Sequence, residues 1–365
     1  MKIYNHDITL YTHDRNVVSQ LYAGRALGIT TPEDKIQLAE ELRPDWAFIV
    51  DHYEQIGLPH THDVIWDVAV EVLDQHPDYE ISVYFFGDVI NAHNKYRQMF
   101  QKWDACFREL VEFINSKNNF IQIAEELGIS VPKTLRFPDL ATAKACSEIM
   151  FPCFVKPAVS DHGFGIQRCP DAAALAQAFD QLESDEPLQI QAEVQASAFL
   201  NLQYQIVADG KIEPLLISEQ VLDGCVHKGN RYPSPHNPWE KVEAFAAWMG
   251  DRGMKGIFAV DVAVVPHPTG THYVAIECNP RFNGSSYPTI IARRLNIPMW
   301  STVTYKTKLR SLKDLKISDI AYNSTAQKGI ILINWGTIQS GTISVLLAGT
   351  EAEQMELEAE LQKRI

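Results

Sequence analysis

The 365-residue chain has no C-x-x-C pair: its six cysteines stand apart at 106, 146, 153, 169, 225 and 278. That spacing suits neither a zinc cluster nor a disulfide framework and points to reduced thiols in a cytosol. No apolar run approaches the ~20 residues needed to cross a bilayer, and the opening M-K-I-Y-N-H-D lacks the apolar stretch of a secretory signal. Basic charge is scarce, with 32 Lys and Arg against 46 Asp and Glu and a formal net charge of -14. A nucleic-acid backbone is therefore a poor main partner, although a local cationic pocket for a small phosphate ligand is allowed. Also lacking are an internal repeat, a low-complexity tract, a Walker G-K-[ST] loop and the dinucleotide G-x-G-x-x-G fingerprint. The expectation is a cytoplasmic soluble protein with no nucleic-acid and no membrane partner.

The hydrophobic share of 46% and charged share of 21% are ordinary for a globular protein, and the length allows two or three packed units. D-W-A-F-I-V-D (45–51) and E-I-S-V-Y-F-F-G (80–87) read as buried strands, with a helix over 63–75 carrying Val64, Ile65, Val68, Val72 and Leu73. That rhythm predicts a small α/β unit with a parallel sheet. A helical region runs from Lys95 to Gly128, broken near 115–118 and ended by Gly128. The centre is α+β. Strands are expected at 151–157, 188–194 and 199–210, the last closing in a D-G turn, with a helix over 172–182. A Pro-rich loop (231–238) and a helix (239–250) precede a hairpin of G-I-F-A-V-D-V-A-V-V and T-H-Y-V-A-I-E, and two short strands and a charged helix end the chain.

That hairpin runs on into E-C-N-P-R-F-N-G-S-S. Side chains alternate across a strand, so Glu277 and Asn279 share a face, with Arg281 just beyond. With the loop centred near Pro268, Asp261 falls opposite Ala275 and diagonal to Glu277. Three oxygen donors with no soft ligand suit Mg2+, and a guanidinium beside them suits a phosphoryl or carboxylate oxygen. The same spacing also fits a hairpin whose charges merely face water.

Upstream, Lys156 ends the apolar run F-V-K-P, where it can reach a phosphate, and Ser160, Gly163 and Gly165 follow in a loop whose N–H groups could approach an anion. L-Q-I-Q-A-E-V reads as an ordinary edge strand or as one offering backbone groups to a purine edge. H-K-G-N-R-Y-P-S-P-H-N (227–237) is a donor-rich loop in which His227, Lys228 and Arg231 either bind a substrate carboxylate or triphosphate or face water. Ser285 and Ser286 either reach a carboxylate substrate or, for Ser285, cap the next helix. H-T-H-D (60–63) has the look of a metal pair, although an H-x-H in a loop is ordinarily not a site.

The order V-K-P, glycine loop, Q-A-E-V, D-x-A and E-C-N-P-R-F-N-G resembles the ATP-grasp superfamily and is similar to its carboxylate–amine ligases over roughly Ser116 to Asn296, with an extension to the whole chain as the expectation. The resemblance implies an N-terminal α/β pre-ATP-grasp domain (1–115) and an ATP-grasp domain (116–365). The latter would divide into a small lid (about 134–194) and a C-terminal catalytic sheet (about 195–365). It implies ATP and Mg2+, with Mn2+ as an alternative, small-molecule carboxylate and amine substrates, and a homodimer among the allowed assemblies. Lys117 and Lys156 would bind the nucleotide, Ser160 to Gly165 would cover its phosphates, and Gln191, Ala192 and Val194 would meet the adenine. Asp261, Glu277 and Asn279 would be metal ligands, and Arg281 would steady an acyl-phosphate. The sequence departs from the family in having Gln191 at the hinge's usual acid, Asp261 where many members have Glu, and Asn201 near the place of the ribose-binding Glu. The family's habit of joining amino acids, with an N-terminal unit matching no purine or biotin enzyme, makes a peptide-type or specialised-metabolite ligase the expectation. An ATP-grasp kinase and a non-catalytic ATP-binding protein are the alternatives.

Overall fold

The computed structural model describes all residues except 10, 12–16, 88–93, 161–164, 183–184 and 208–209, with 17, 94 and 95 described by backbone alone. The chain forms two compact units: Met1–Lys102 with Lys228–Pro233 and Phe282–Ile365, and Trp103–His227 with Ser234–Arg281.

The first unit opens with four short strands, β1 (Lys2–Asn5), β2 (Lys35–Gln37), β3 (Val64–Ile65) and β4 (Glu80–Val83), in a parallel sheet of order β3-β2-β1-β4. The parallel sheet is as expected, but two of its assignments are not. The 45–51 run belongs to a helix: after α1 (Val17–Leu21) comes α2 (Trp46–Gln55), whose buried Ile49, His52 and Tyr53 fall at i, i+3 and i+4 on one face. A short apolar run cannot by itself separate a buried strand from a buried helix face. The 63–75 helix is replaced by β3 and one 3-10 stretch, Val70–Gln75. β1 and β2 are too short for their periodicity to stand out.

The chain passes into the second unit within α3 (Asn94–Asn115), whose helical dihedrals break at Asp104. Ser116 is extended, and α4 (Lys117–Glu126) starts after it and ends at Gly128 with φ +70. β5 (Thr134–Phe137), β6 (Cys153–Pro157), β7 (Gln167–Cys169) and β8 (Leu188–Ala192) form an antiparallel sheet of order β5-β8-β6-β7. Helices α5 (Leu140–Lys144) and α6 (Ala172–Phe179) cover one face, burying Phe137, Leu140, Val155, Leu175, Phe179 and Ile190. By alternation, Thr134, Phe154, Lys156, Gln189 and Gln191 project from the other face.

β9 (Ala198–Ile206) and β10 (Ile212–Asp223) make the expected hairpin, although the turn residue Asp209 lies outside the described residues. β11 (Val226–Tyr232) then occupies ground read from sequence as a loop. After α7 (Trp239–Asp251), β12 (Gly256–His267) and β13 (Gly270–Asn279) complete an antiparallel run of order β13-β12-β9-β10. Back in the first unit, α8 (Ser286–Arg294) leads to β14 (Trp300–Lys306), β15 (Gly329–Asn334) and β16 (Thr342–Ala348), with β16 central. α9 (Glu351–Gln362) follows behind a Thr350–Glu353 capping box. No helix of the described residues is long and apolar enough to cross a membrane.

Candidate active site

The second unit gathers most of the residues singled out in the sequence, and a bulge decides how. Near the hairpin loop, Ala263 pairs with Val274 and Val262 with Ala275, so odd numbers face even ones. Continued, that register would set Glu277 opposite Val260, on the face away from Asp261. A shift at Ile276 instead places Asp261 directly opposite Glu277. The sequence expectation, with Asp261 opposite Ala275, is corrected by this extra residue.

On its other side Asp261 pairs with Asn201 of β9. Asn201 Nδ2 donates to Asp261 Oδ1 at 2.6 Å, and Gln203 Nε2 donates to Asn201 Oδ1 at 2.6 Å. Asn279 Nδ2 donates to Asp261 Oδ2 at 3.0 Å, and Arg281 Nη1 donates to Asn279 Oδ1. Lys117, at the start of α4, is fixed by its backbone N–H on the Ala158 carbonyl at 2.7 Å. Its Nζ lies 3.2 Å from Glu277 Oε2 and donates to Ser160 Oγ at 3.2 Å. Buried Lys156 donates to Gln191 Oε1 at 2.7 Å, and Gln191 Nε2 donates to Thr134 Oγ1 at 3.0 Å.

Charge and burial compete here. Burial pushes the Asp261 carboxyl well above the usual carboxylate range and the facing Glu277 pushes it further, against the Asn201 hydrogen bond. Burial alone would raise Glu277 too, but Lys117, Lys156 and Arg281 together hold it below its ordinary value. Burial lowers the Lys156 ammonium to about 8, Lys117 adding to the effect and Glu277 opposing it. Cys278 is buried, its thiol pushed up by that burial, which suits packing rather than nucleophilic work.

The donor set fits a hard cation. Two opposed carboxylates repel each other, and with the Asn279 amide they offer only oxygen; Mg2+ takes one or two protein carboxylates and completes its shell with water and phosphate. Among the described residues no group of three His, Cys, Asp or Glu could hold a metal by itself. His60 and His62 stack on each other, with His60 Nδ1 on the Leu58 carbonyl at 2.8 Å.

The remaining expectations land unevenly. Gly165 has φ +73, and a Cβ there would sit 2.8 Å from Pro157 Cγ, so glycine is required. Gly163 lies outside the described residues. The Ala192 N–H is taken by the Lys133 carbonyl at 2.9 Å and the Glu193 N–H by that of Pro152 at 3.0 Å, so part of the Gln191–Val194 edge is spent inside the unit. His227, Lys228 and Arg231 are exposed and stand on β11, not in a loop. Ser285 and Ser286 belong to the turn into α8: Asn283 Oδ1 accepts the Ser285 N–H at 2.9 Å, and the Asn283 N–H donates to Ser286 Oγ at 2.9 Å. The Ser285 side chain does not cap that helix. Sequence reasoning gave no role to Gln203 or Thr134, or to Gln189, which is fully buried on the Lys156 face with neither amide atom hydrogen-bonded. The alternation N-L-Q-Y-Q in β9 was the available signal for Asn201 and Gln203.

No protein-family model and no curated protein matches the chain. Solved structures do. N5-carboxyaminoimidazole synthetase from Staphylococcus aureus, complexed with ADP, superposes with a TM-score of 0.63 at 11% identity over 98% of this chain and 95% of its own. Biotin carboxylase from Campylobacter jejuni, in a β-γ-ATP complex, gives 0.62 at 10% identity, covering 100% and 91%. The biotin carboxylase domain dimer of the Hydrogenobacter thermophilus 2-oxoglutarate carboxylase, with MgADP, ADP and bicarbonate, gives 0.52 at 11% identity, covering 84% and 75%. For the first two the likeness runs through the N-terminal residues as well. At these identities it is a likeness of fold.

Proposed function

On a chain that carries the ATP-grasp fold, we propose an ATP-dependent, ADP-forming carboxylate–amine ligase. The observation that carries this reading is the convergence, in one unit, of Lys117, Lys156 and Arg281 with the Asp261–Glu277–Asn279 edge. Such an arrangement suits phosphoryl transfer, where the protein mainly positions reactants and offsets charge.

In this reading a substrate carboxylate oxygen attacks the γ-phosphorus of ATP, the bond to the β–γ bridging oxygen breaks, and ADP leaves. The amine nitrogen then attacks the acyl carbon of the acyl-phosphate, phosphate departs with the carbon–oxygen electron pair, and the amine proton passes to solvent. Lys117 and Lys156 hold phosphate oxygens, with Ser160, Gly163 and Gly165 in the covering loop and Gln191, Ala192 and Val194 along the adenine. Gln191 has a second task, since it fixes the Lys156 ammonium. Arg281, braced on Asn279, faces the acyl-phosphate. Asp261, Glu277 and Asn279 would hold Mg2+, or Mn2+, which supplies neutralising charge to the phosphate oxygens when bound. Asn201 positions Asp261.

For substrates we favour two amino acids joined by a peptide bond. A second reading has bicarbonate as the carboxylate and a small amine as acceptor. It is supported by the whole-chain likeness to a carboxyaminoimidazole synthetase and a biotin carboxylase. Phosphate release from ATP and Mg2+ with amino acids singly and in pairs, with and without bicarbonate, separates them. Release that needs a carboxylate and an amine together supports ligation. A phosphorylated product formed with no amine dependence would make the protein a kinase instead.

A further inference from the structure

The first unit holds a carboxylate that this chemistry does not use. Asp7 lies two residues beyond β1 and is half-buried. Its Oδ1 accepts two hydrogen bonds from Thr9, from the backbone N–H at 2.9 Å and from Oγ1 at 2.6 Å, and its own N–H donates to Asn5 Oδ1 at 3.1 Å. Burial pushes the carboxyl above its ordinary range; hydrogen bonds from Thr9 and Ile8 oppose this, and the Arg25 charge opposes it least. Among the described residues no cation forms an ion pair with Asp7. Carboxylates removed from water are ordinarily paired, so this one calls for a cation from outside the chain.

Asp7 lines a cavity at the carboxyl ends of β1 and β4. The chain builds outward from β1 through β2 to β3, then returns to set β4 on the other side of β1. Open parallel sheets receive ligands at such a switch. Asn5, Tyr11, Tyr84, Phe85 and Phe100 are among the other residues that line the cavity. The space open to the centre of a water-sized sphere is about 20 Å³, where one water needs ~10–15 Å³. A guest no larger than a water fits there, and a ring or a branched body does not.

The lining selects the charge of that guest. No lysine, arginine or histidine is among the described lining residues, so an anion would meet Asp7 with nothing to balance it. A cation meets the carboxylate together with aromatic rings, which attract positive charge. Tyr11 packs edge-on to Tyr84, with 5.2 Å between ring centres, and tilted to Phe85 at 5.4 Å. A hard metal ion asks for about six or more oxygen ligands, and a wall holding four aromatic rings leaves few. An ammonium needs fewer acceptors and takes aromatic rings in place of oxygens.

We propose that Asp7 and this cavity bind a free ammonium ion or the ammonium head of a small primary amine. Use of the site for the amine substrate rests on the ligase reading; the binding does not. Thermal melts of the full chain at neutral pH and matched ionic strength, with the chlorides of ammonium, methylammonium, potassium and tetramethylammonium, test it. Ammonium is expected to raise the melting temperature in a saturable way, because it binds the folded form. A like rise with methylammonium marks an amine head as the guest, and no rise with methylammonium marks the free ion. Potassium should do less, and tetramethylammonium, too large for the cavity, should give no saturable rise. Asp7→Asn keeps the shape of the side chain and should lose the ammonium effect, with an unchanged circular dichroism spectrum reporting its fold. Phe85→Leu should weaken ammonium binding about 2- to 5-fold, the worth of one ring. No rise with ammonium, an equal rise with potassium or tetramethylammonium, or a full rise in folded Asp7→Asn overturns the proposal. Asp7-dependent binding with no phosphate release for any carboxylate–amine pair would leave this site standing and remove the ligase reading. Ligation in a protein that shows no ammonium effect would do the reverse.

Discussion

Asp261 and Glu277 face each other across the β12–β13 hairpin because Ile276 is an extra residue in the register. The two carboxylates are thereby forced into different states. Glu277 is held ionised by Lys117, Lys156 and Arg281, whereas Asp261, buried and facing that charge, favours the protonated form.

Replacing each by its amide should therefore have unequal effects on stability and the same effect on turnover. Asp261→Asn removes the charge that Glu277 opposes but loses one accepted hydrogen bond, from Asn201 or Asn279, so the metal-free protein should lose no more than about 1 kcal/mol. Glu277→Gln leaves Lys117 without its carboxylate and should cost about 1–3 kcal/mol, discounted because the Glu277 side chain is partly exposed. Both should lower ATP-dependent phosphate release by about 100- to 1000-fold, the scale of losing one well-placed charge-stabilising group. Urea unfolding and phosphate release measure the two effects. Equal destabilisation by both substitutions would contradict the assignment of charge.

Gln189 gives a second split between stability and function. Its amide is fully buried with neither atom hydrogen-bonded, on the same face of the sheet as Lys156 and Gln191. Gln189→Leu removes an unmatched polar group and should stabilise the nucleotide-free protein by about 1 kcal/mol. If the amide contacts bound ATP, the same change should raise the dissociation constant for ATP about 3- to 10-fold, within the range of one neutral hydrogen bond. A thermal melt with and without ATP reads both at once. A variant that is less stable without ATP would mean that the amide has a partner inside the chain.

How far the sequence could be read depended on length and on register. The long elements were legible: the α3–α4 break at Ser116, the β9–β10 hairpin and the β12–β13 hairpin all follow from periodicity and turn residues. Strands of two to four residues such as β1 and β3 carry too little pattern, and the Trp46–Gln55 run hides its helical face among apolar residues. Glu277, Asn279 and Arg281 were visible as types at a spacing, but the bulge that turns Glu277 toward Asp261 leaves no mark in composition. The bonds of Asn201 to Asp261 and of Gln191 to Lys156 come from strands far apart in sequence, and no local spacing announces such pairs.

Gly165 should resist substitution for reasons of backbone and space together. Its φ of +73 is costly for any residue with a Cβ, and that atom would lie 2.8 Å from Pro157 Cγ, next to Lys156. Gly165→Ala should lose about 1–2 kcal/mol from the left-handed conformation alone, with a further cost from the contact. A lowered urea midpoint with an unchanged slope is the expected signature. A midpoint equal to that of the wild type would show that the loop takes another conformation in solution.

The Lys156–Gln191 pair predicts how ATP binding depends on pH. Burial lowers the Lys156 ammonium to about 8 from the ordinary 10.5. Between those values the unfolded chain binds the proton and the native one does not, so the stability of the ATP-free protein should rise with pH across this window. ATP affinity should move the other way, because the phosphate needs the charged form: it should begin to fall as pH passes about 8. Lys156→Arg, which stays charged, should abolish that fall. Gln191→Glu puts a carboxylate where Gln191 Oε1 now accepts from Nζ at 2.7 Å, and should move the fall to higher pH. Gln191→Ala removes the acceptor without adding charge, so it should weaken ATP about 3- to 10-fold while leaving the fall where it is or at lower pH. Equilibrium ATP titrations from pH 6.5 to 10 distinguish the three variants. If Gln191→Glu and Gln191→Ala shift the profile alike, the contact between Gln191 and Lys156 does not govern the ammonium.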